Sequence, residues 1–193
     1  MRFVLASHNK KKLSEMSAIL EGLGIEVVPL PDDAPEPEED GKTFEDNARI
    51  KALAAHACTG LPAIADDSGL EVDALGGAPG VYSARYCPVT DEDRNRLLLE
   101  NMQDVDECER QARFVCAICC VLPDGQEIHV RGECEGEILT SLHGKGGFGY
   151  DPLFYVREYD CTFAELPQET KNQISHRGRA LKKLVNALGK RLK

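Results

Sequence analysis

The stretch Arg2-Phe3-Val4-Leu5-Ala6-Ser7-His8-Asn9-Lys10-Lys11-Lys12-Leu13-Ser14-Glu15-Met16-Ser17-Ala18-Ile19-Leu20 changes its period once. Arg2 to Ala6 is an apolar run of strand length. After a polar turn, Leu13, Met16, Ile19 and Leu20 recur at helical spacing until Gly22 and Gly24 stop the pattern. Strand, turn and helix in that order begin an α/β unit.

The alternation continues along the chain. Ile25 to Val28 reads as a second strand, and the proline-rich, carboxylate-rich segment from Pro29 to Asp40 as an exposed loop. Thr43 can cap a helix that buries Phe44, Ala48, Ile50, Leu53, Ala54 and Ala57 and stops at Gly60-Leu61-Pro62 before the strand Ala63-Ile64-Ala65. Arg94 to Met102 is a further helix. Phe114 to Leu122 and Glu127 to Glu133 are strands joined through Pro123-Asp124-Gly125, a hairpin signal. Leu153-Phe154-Tyr155 is another apolar run, and a last helix starts near His176, capped by Ser175, with Leu181, Leu184, Val185, Leu188 and Leu192 on one stripe. The class is α/β with a mixed β-sheet and flanking helices, and residues 1–193 read as a single domain.

Composition narrows the function. The formal net charge is -10, with 23 basic against 33 acidic residues, which disfavours a nucleic acid polymer as partner because phosphate contacts need a basic face. The charge is uneven, since residues 171–193 carry eight basic residues and no acidic one. No run approaches the ~18 apolar residues of a membrane span. Residues 1–6 are too short for a signal-peptide core before His8 and the lysines, so a cytoplasmic protein with no membrane partner is expected. Eight cysteines in apolar contexts read as buried reduced thiols. Cys116-x-x-Cys119 does not close as a metal or redox pair, because in a strand the two side chains point to opposite faces.

Four constellations could carry chemistry. The turn Ser7-His8-Asn9-Lys10-Lys11-Lys12 offers donors to a phosphate at a helix start, or is a solvated lysine run. Asp66-Asp67-Ser68-Gly69, directly after a strand, suits Mg²⁺, a hard cation that prefers oxygen, or forms an Asx-type turn. Glu36, Glu38, Glu39 and Asp40 form a solvated run unless the loop folds toward Asp67. In Gly146-Gly147-Phe148-Gly149-Tyr150-Asp151-Pro152, glycines either side of Phe148 let a ring approach a ligand, unless Phe148 is a core residue. Lys171 and Ser175-His176-Arg177 follow. Phosphate donors, metal carboxylates, a stacking ring and a cationic pocket together describe a nucleoside triphosphate.

With these blocks in order, the chain resembles the inosine triphosphate pyrophosphatase family, which includes the bacterial non-canonical purine NTP pyrophosphatases. The resemblance runs almost end to end. It rests on Ser7-x-Asn9-x-x-Lys12, Gly41-x-Thr43-Phe44-x-x-Asn47-Ala48, Ala65 to Leu70, Gly76 to Arg85, Gly146 to Pro152 and Ser175-His176-Arg177. It implies an elongated fold of two lobes around a central nucleotide cleft, usually in a homodimer. It further implies Mg²⁺-dependent hydrolysis of ITP, dITP and XTP to the monophosphate and pyrophosphate, which cleanses the nucleotide pool and prevents incorporation into DNA or RNA. By position, Ser7, His8, Asn9, Lys10, Lys11 and Lys12 would hold phosphates, Glu39 and Asp67 the metal, with Asp67 as general base. Ser68 would touch substrate. Phe148, Gly149, Tyr150, Asp151, Lys171, His176 and Arg177 would form the nucleoside pocket. The rival readings are a related pyrophosphatase acting on other modified nucleotides, and a nucleotide sensor without turnover. Lys171 and Arg177 have only donors, so a pocket built from them suits a 6-keto purine better than adenine.

Overall fold

The computed structural model describes residues 1–87 and 90–191, the side chains of Lys11 and Glu15 apart. Seven strands lie in one mixed sheet, β1 (Arg2–Leu5), β2 (Glu26–Pro29), β3 (Ala63–Val72), β4 (Gln111–Val121), β5 (Glu127–Ile138), β6 (Phe154–Val156) and β7 (Cys161–Thr162), in the order β2-β1-β3-β4-β5-β6-β7. The helices are α1 (Lys10–Leu20), α2 (Phe44–Thr59), α3 (Asp91–Asn101), α4 (Gln168–Ile174) and α5 (His176–Arg191). β1 is parallel to both its neighbours, whereas β6 is antiparallel to β5 and β7. The chain divides into two compact units: Met1–Asp67 with Cys116–Gly132 and Gly178–Lys193, and Ser68–Val115 with Glu133–Arg177.

In the first unit the alternation of side chains along β1 sorts its residues between two apolar layers. Phe3 and Leu5 join Met16 and Leu20 of α1 and Leu181, Leu184 and Leu188 of α5 in one cluster. Val4 joins Ala55 of α2, Ala63 and Leu30 in another. A strand covered on both faces needs a continuous apolar run, as in Phe3-Val4-Leu5. Thr43 starts α2 through a reciprocal capping box with Asp46, and Gly60 at φ +67° ends it. The buried stripe of α2 is Phe44, Asn47, Ala48, Ala52 and Ala55. Ile50, Leu53 and Ala54, expected to be buried, are only half-buried, and Ala57 is exposed, because the stripe advances by four, four and three residues from Phe44. Leu192, expected on the α5 stripe, lies outside the described residues.

In the second unit the core gathers Leu70, Leu98, Met102, Phe114, Phe154 and Phe163. The Phe114 ring lies 4.6 Å from that of Phe154 and is stacked on Phe163 at 5.6 Å. α3 begins at Asp91, three residues before its expected start, because Thr90 accepts the Asp93 N–H as cap. α4 and β7 carry no periodicity that sequence alone reveals. β3 is ten residues long, where a strand ending at Ala65 was expected.

Four of the eight cysteines, Cys116, Cys119, Cys120 and Cys134, are buried free thiols. Cys58 and Cys108 are exposed, which corrects the expectation of uniform burial. Cys116 and Cys120 share the cluster built on Phe3 and Leu5, and Cys119 is outside it, as strand alternation requires.

Candidate active site

The extended β3 changes what Asp66 and Asp67 are. They are strand residues. β1 pairs with β3 only as far as Leu5 opposite Ile64, so the two carboxylates lie just beyond the carboxyl end of β1, where the chain turns into α1. Open parallel sheets leave room for ligands at that end.

Successive side chains of a strand diverge, and each carboxylate meets a different lysine. Lys12 Nζ lies 2.9 Å from Asp66 Oδ1, with the Asp66 side chain 1% exposed. Lys51 Nζ donates to Asp67 Oδ1 at 3.0 Å and lies 3.4 Å from Glu39 Oε2. Asn47 Nδ2 donates to Asp67 Oδ2 at 3.3 Å. Both oxygens of Asp67 are thus oriented by α2, from positions four residues apart on one helix face. The acidic loop does fold toward Asp67, since Glu39 reaches the same ammonium. Gly41 anchors the loop by donating its N–H to Asn47 Oδ1 at 2.9 Å, and a Cβ there would stand 2.5 Å from that oxygen.

Burial pushes the Asp67 carboxyl above the usual carboxylate range, outweighing the pull of Lys51. Burial alone would lower the Lys51 ammonium, yet Asp67, Glu39 and Asp66 together hold it above its ordinary value. Two carboxylates converge here on one positive charge. This is an all-oxygen donor pair, which fits a hard divalent cation such as Mg²⁺.

The opening turn borders this group. Ser7 Oγ accepts the Asn9 N–H at 3.1 Å, and Asn9 Oδ1 accepts the Lys12 N–H at 3.3 Å, so both side chains shape the first turn of α1. That turn contains no acidic residue to balance its lysines and the helix dipole. His8 and Lys10 are exposed, and the Lys11 side chain lies outside the described residues. A cavity of about 270 Å³ is lined by Ser7, His8, Lys12, Glu36, Glu39, Lys51 and Asp66, among others.

In the second unit, the glycine loop and α4 meet at a buried ion pair. Lys171 Nζ pairs with Asp151 Oδ2, which also accepts the Phe148 N–H at 2.7 Å. A Cβ on Gly147, at φ +74°, would come within 2.1 Å of the same oxygen, so only glycine fits. Burial pushes the Asp151 carboxyl upward, against Lys171, which pulls it down. The Phe148 ring is 62% exposed, and Lys171 Nζ lies 5.0 Å from its centroid. Phe148 is therefore not a core residue and offers a free face for stacking. Tyr150 is buried, its hydroxyl donating to the Ser83 carbonyl at 2.9 Å, and holds the loop from below. The His176 ring stacks on Phe114 at 4.9 Å, next to half-buried Arg177 at the start of α5. Ser68 is half-buried in β3.

Four residues that the sequence reading did not assign shape these groups. Asn47 and Lys51 fix Asp67. Asp91 Oδ2 accepts the Gly149 N–H at 2.7 Å, and Asn95 Nδ2 donates to the Gly149 carbonyl at 2.9 Å, so α3 holds both polar groups of that peptide unit. A legible signal existed for Asn47, which is a polar residue within the apolar stripe of α2.

Residues 3–187 match the model of the Ham1 family. A dITP/XTP pyrophosphatase of Symbiobacterium thermophilum is 54% identical over 97% of this chain and 94% of its own length. One of Geobacter sulfurreducens is 55% identical over 97% and 96%. The structure of a HAM1 protein from Coxiella burnetii superposes with a TM-score of 0.93 at 45% identity, covering 98% of this chain and 99% of the other. With a family match spanning every residue named in both groups, the chain belongs to the Ham1 family.

Proposed function

We propose that the protein hydrolyses non-canonical purine nucleoside triphosphates (ITP, dITP and XTP) to the monophosphate and pyrophosphate, with Mg²⁺ as cofactor. The observation that carries this reading is the convergence of Glu39 and Asp67 on Lys51, beside the Lys12–Asp66 pair. The relatives named dITP/XTP pyrophosphatase support it. The activity would clear such nucleotides before they enter DNA or RNA.

Glu39 and Asp67 would hold the cation, which when bound neutralises phosphate charge that would repel an incoming hydroxide. Asp67, oriented through both oxygens and with its carboxyl raised by burial, takes the proton of the attacking water. The water oxygen bonds to the α-phosphorus, the bond to the bridging oxygen breaks, and pyrophosphate departs. Lys12, together with Ser7 to Lys11 at the helix start, takes up the charge on the phosphates. In the second unit, Phe148 stacks on the base. Lys171 keeps donors beyond the one engaged by Asp151 and, with His176 and Arg177, suits the 6-keto oxygen of hypoxanthine or xanthine. Adenine's amino group would face donors there, at roughly 1 to 3 kcal/mol per unpaired contact.

We further propose a homodimer working in the cytoplasm. Among the described residues no helix is long and apolar enough to cross a membrane. A nucleotide panel with separate detection of pyrophosphate and orthophosphate tests the reaction. Pyrophosphate should appear from ITP, dITP and XTP far faster than from ATP or GTP, and Asp67→Asn should lower the rate by at least ~100-fold with the far-ultraviolet spectrum unchanged. Orthophosphate as first product defeats the assigned cleavage. Binding without turnover makes the protein a sensor.

A further inference from the structure

We propose that the β4–β5 hairpin carries a second cation site, separate from the carboxylates of Glu39 and Asp67, in which Cys119, Glu127 and His129 bind a zinc-class divalent ion. The hairpin geometry brings the three together. Leu122 donates its N–H to the Gln126 carbonyl at 2.8 Å across the turn, a register that sets Cys119 opposite His129, with Glu127 two residues along on the same face. Their ligand atoms all lie within 4.8 Å of one another. A tetrahedral zinc site separates its ligands by about 3.3 to 3.8 Å, so closure needs the ligand atoms to draw in by about an ångström.

The donor chemistry selects the ion. A thiolate, an imidazole nitrogen and a carboxylate oxygen make a mixed set that suits zinc, whereas Mg²⁺ demands oxygen throughout. His129 Nε2 already lies 2.8 Å from Glu127 Oε2. Arg49 donates to Glu127 through Nε to Oε2 at 2.8 Å and through Nη2 to Oε1 at 2.9 Å. With Oε2 on the ion, the Nη2 contact to Oε1 remains and orients the carboxylate from outside, the usual role of an outer partner at a metal site. Cys119 is buried, Glu127 half-buried and His129 exposed, so the ion enters from the His129 side and a water completes its coordination. Binding displaces the thiol proton to solvent. The alternative is a surface ion-pair network of Arg49, Glu127 and His129 lying over an inert core thiol.

The test uses the whole protein, stripped by a chelator and kept reduced without added thiol, and titrated with Co²⁺ alone. One equivalent should develop a near-ultraviolet sulfur-to-cobalt absorption that Zn²⁺ then displaces. Asp67→Asn and a Cys58→Ser/Cys108→Ser variant should retain the band. His129→Ala should weaken Zn²⁺ binding at least tenfold and Cys119→Ser should abolish the band, while His129→Ala keeps Mg²⁺-supported pyrophosphate release. Because the readout is a thiolate band and not turnover, it stands apart from the fate of the proposed activity. No band in the native chain, a band surviving His129→Ala at full affinity, or one lost with Cys58 and Cys108 overturns the site.

Discussion

Removing the Lys171 ammonium alone strands the Asp151 carboxylate, because the pair is almost wholly withdrawn from water, with side-chain exposures of 10% and 4%. Breaking a buried pair from one side costs roughly 3 to 5 kcal/mol, so Lys171→Ala should lose about that much stability. Lys171→Ala/Asp151→Asn should recover more than half of it, since an asparagine oxygen still accepts the Phe148 N–H. Urea denaturation curves with unchanged slope measure both. The double variant should also lose roughly tenfold or more of its preference for ITP over ATP, read as a ratio of kcat/KM. Equal stability losses in the single and double variants would show that the pair is not coupled. At this scale residue type was legible and pairing was not. Phe148 could be read as a stacking ring or a core ring, and only its exposure decides between them.

α3 is an element that sets the position of the glycine loop. Asp91 and Asn95, one turn apart, take the N–H and the carbonyl of Gly149. Arg94, and then the Gly149 N–H, hold the Asp91 carboxyl below its ordinary value of 3.8. A depressed carboxyl contributes its stability above the unfolded value and loses it as pH falls through the folded one, so this contact is fully present at neutral pH. Asn95→Ala should raise the KM for ITP about tenfold and change kcat by less than about threefold, because it loosens the loop and leaves Asp67 untouched. A matching fall in kcat would place Asn95 nearer the chemistry. The first α/β unit was legible because its signals are local, a period of two giving way to one of 3.6. α4 was not, since seven residues without an apolar repeat offer no such signal. Asp66 and Asp67 look like a turn in sequence, which predicts a strand ending at Ala65, whereas β3 continues through them to Val72 and has β4 as its neighbour in the sheet.

Across the whole molecule, β3, β4 and β5 run without interruption through both compact units. We therefore propose that residues 1–193 unfold as one cooperative domain. All five tyrosines, Tyr82, Tyr86, Tyr150, Tyr155 and Tyr159, lie in the second unit, and the chain has no tryptophan. Tyrosine fluorescence accordingly reports that unit alone, and far-ultraviolet circular dichroism reports both. Coincident urea transitions are expected, and separated midpoints would make the units independent. The net charge of -10 argues against a nucleic acid polymer as partner, yet its distribution matters more than its sum. Lys12 and Lys51 stand among carboxylates in one unit and Lys171 pairs with Asp151 in the other. The α/β class, the opening strand, turn and helix, and the residue types able to serve a nucleotide are legible along the chain, because periodicity and motif spacing are local properties. That Asn47 and Lys51 orient Asp67, that α3 holds Gly149, and that Cys119 meets Glu127 and His129 emerges with the folded arrangement. Those contacts join residues distant in sequence or reach across a strand pair, and their geometry exists only once the sheet register is set.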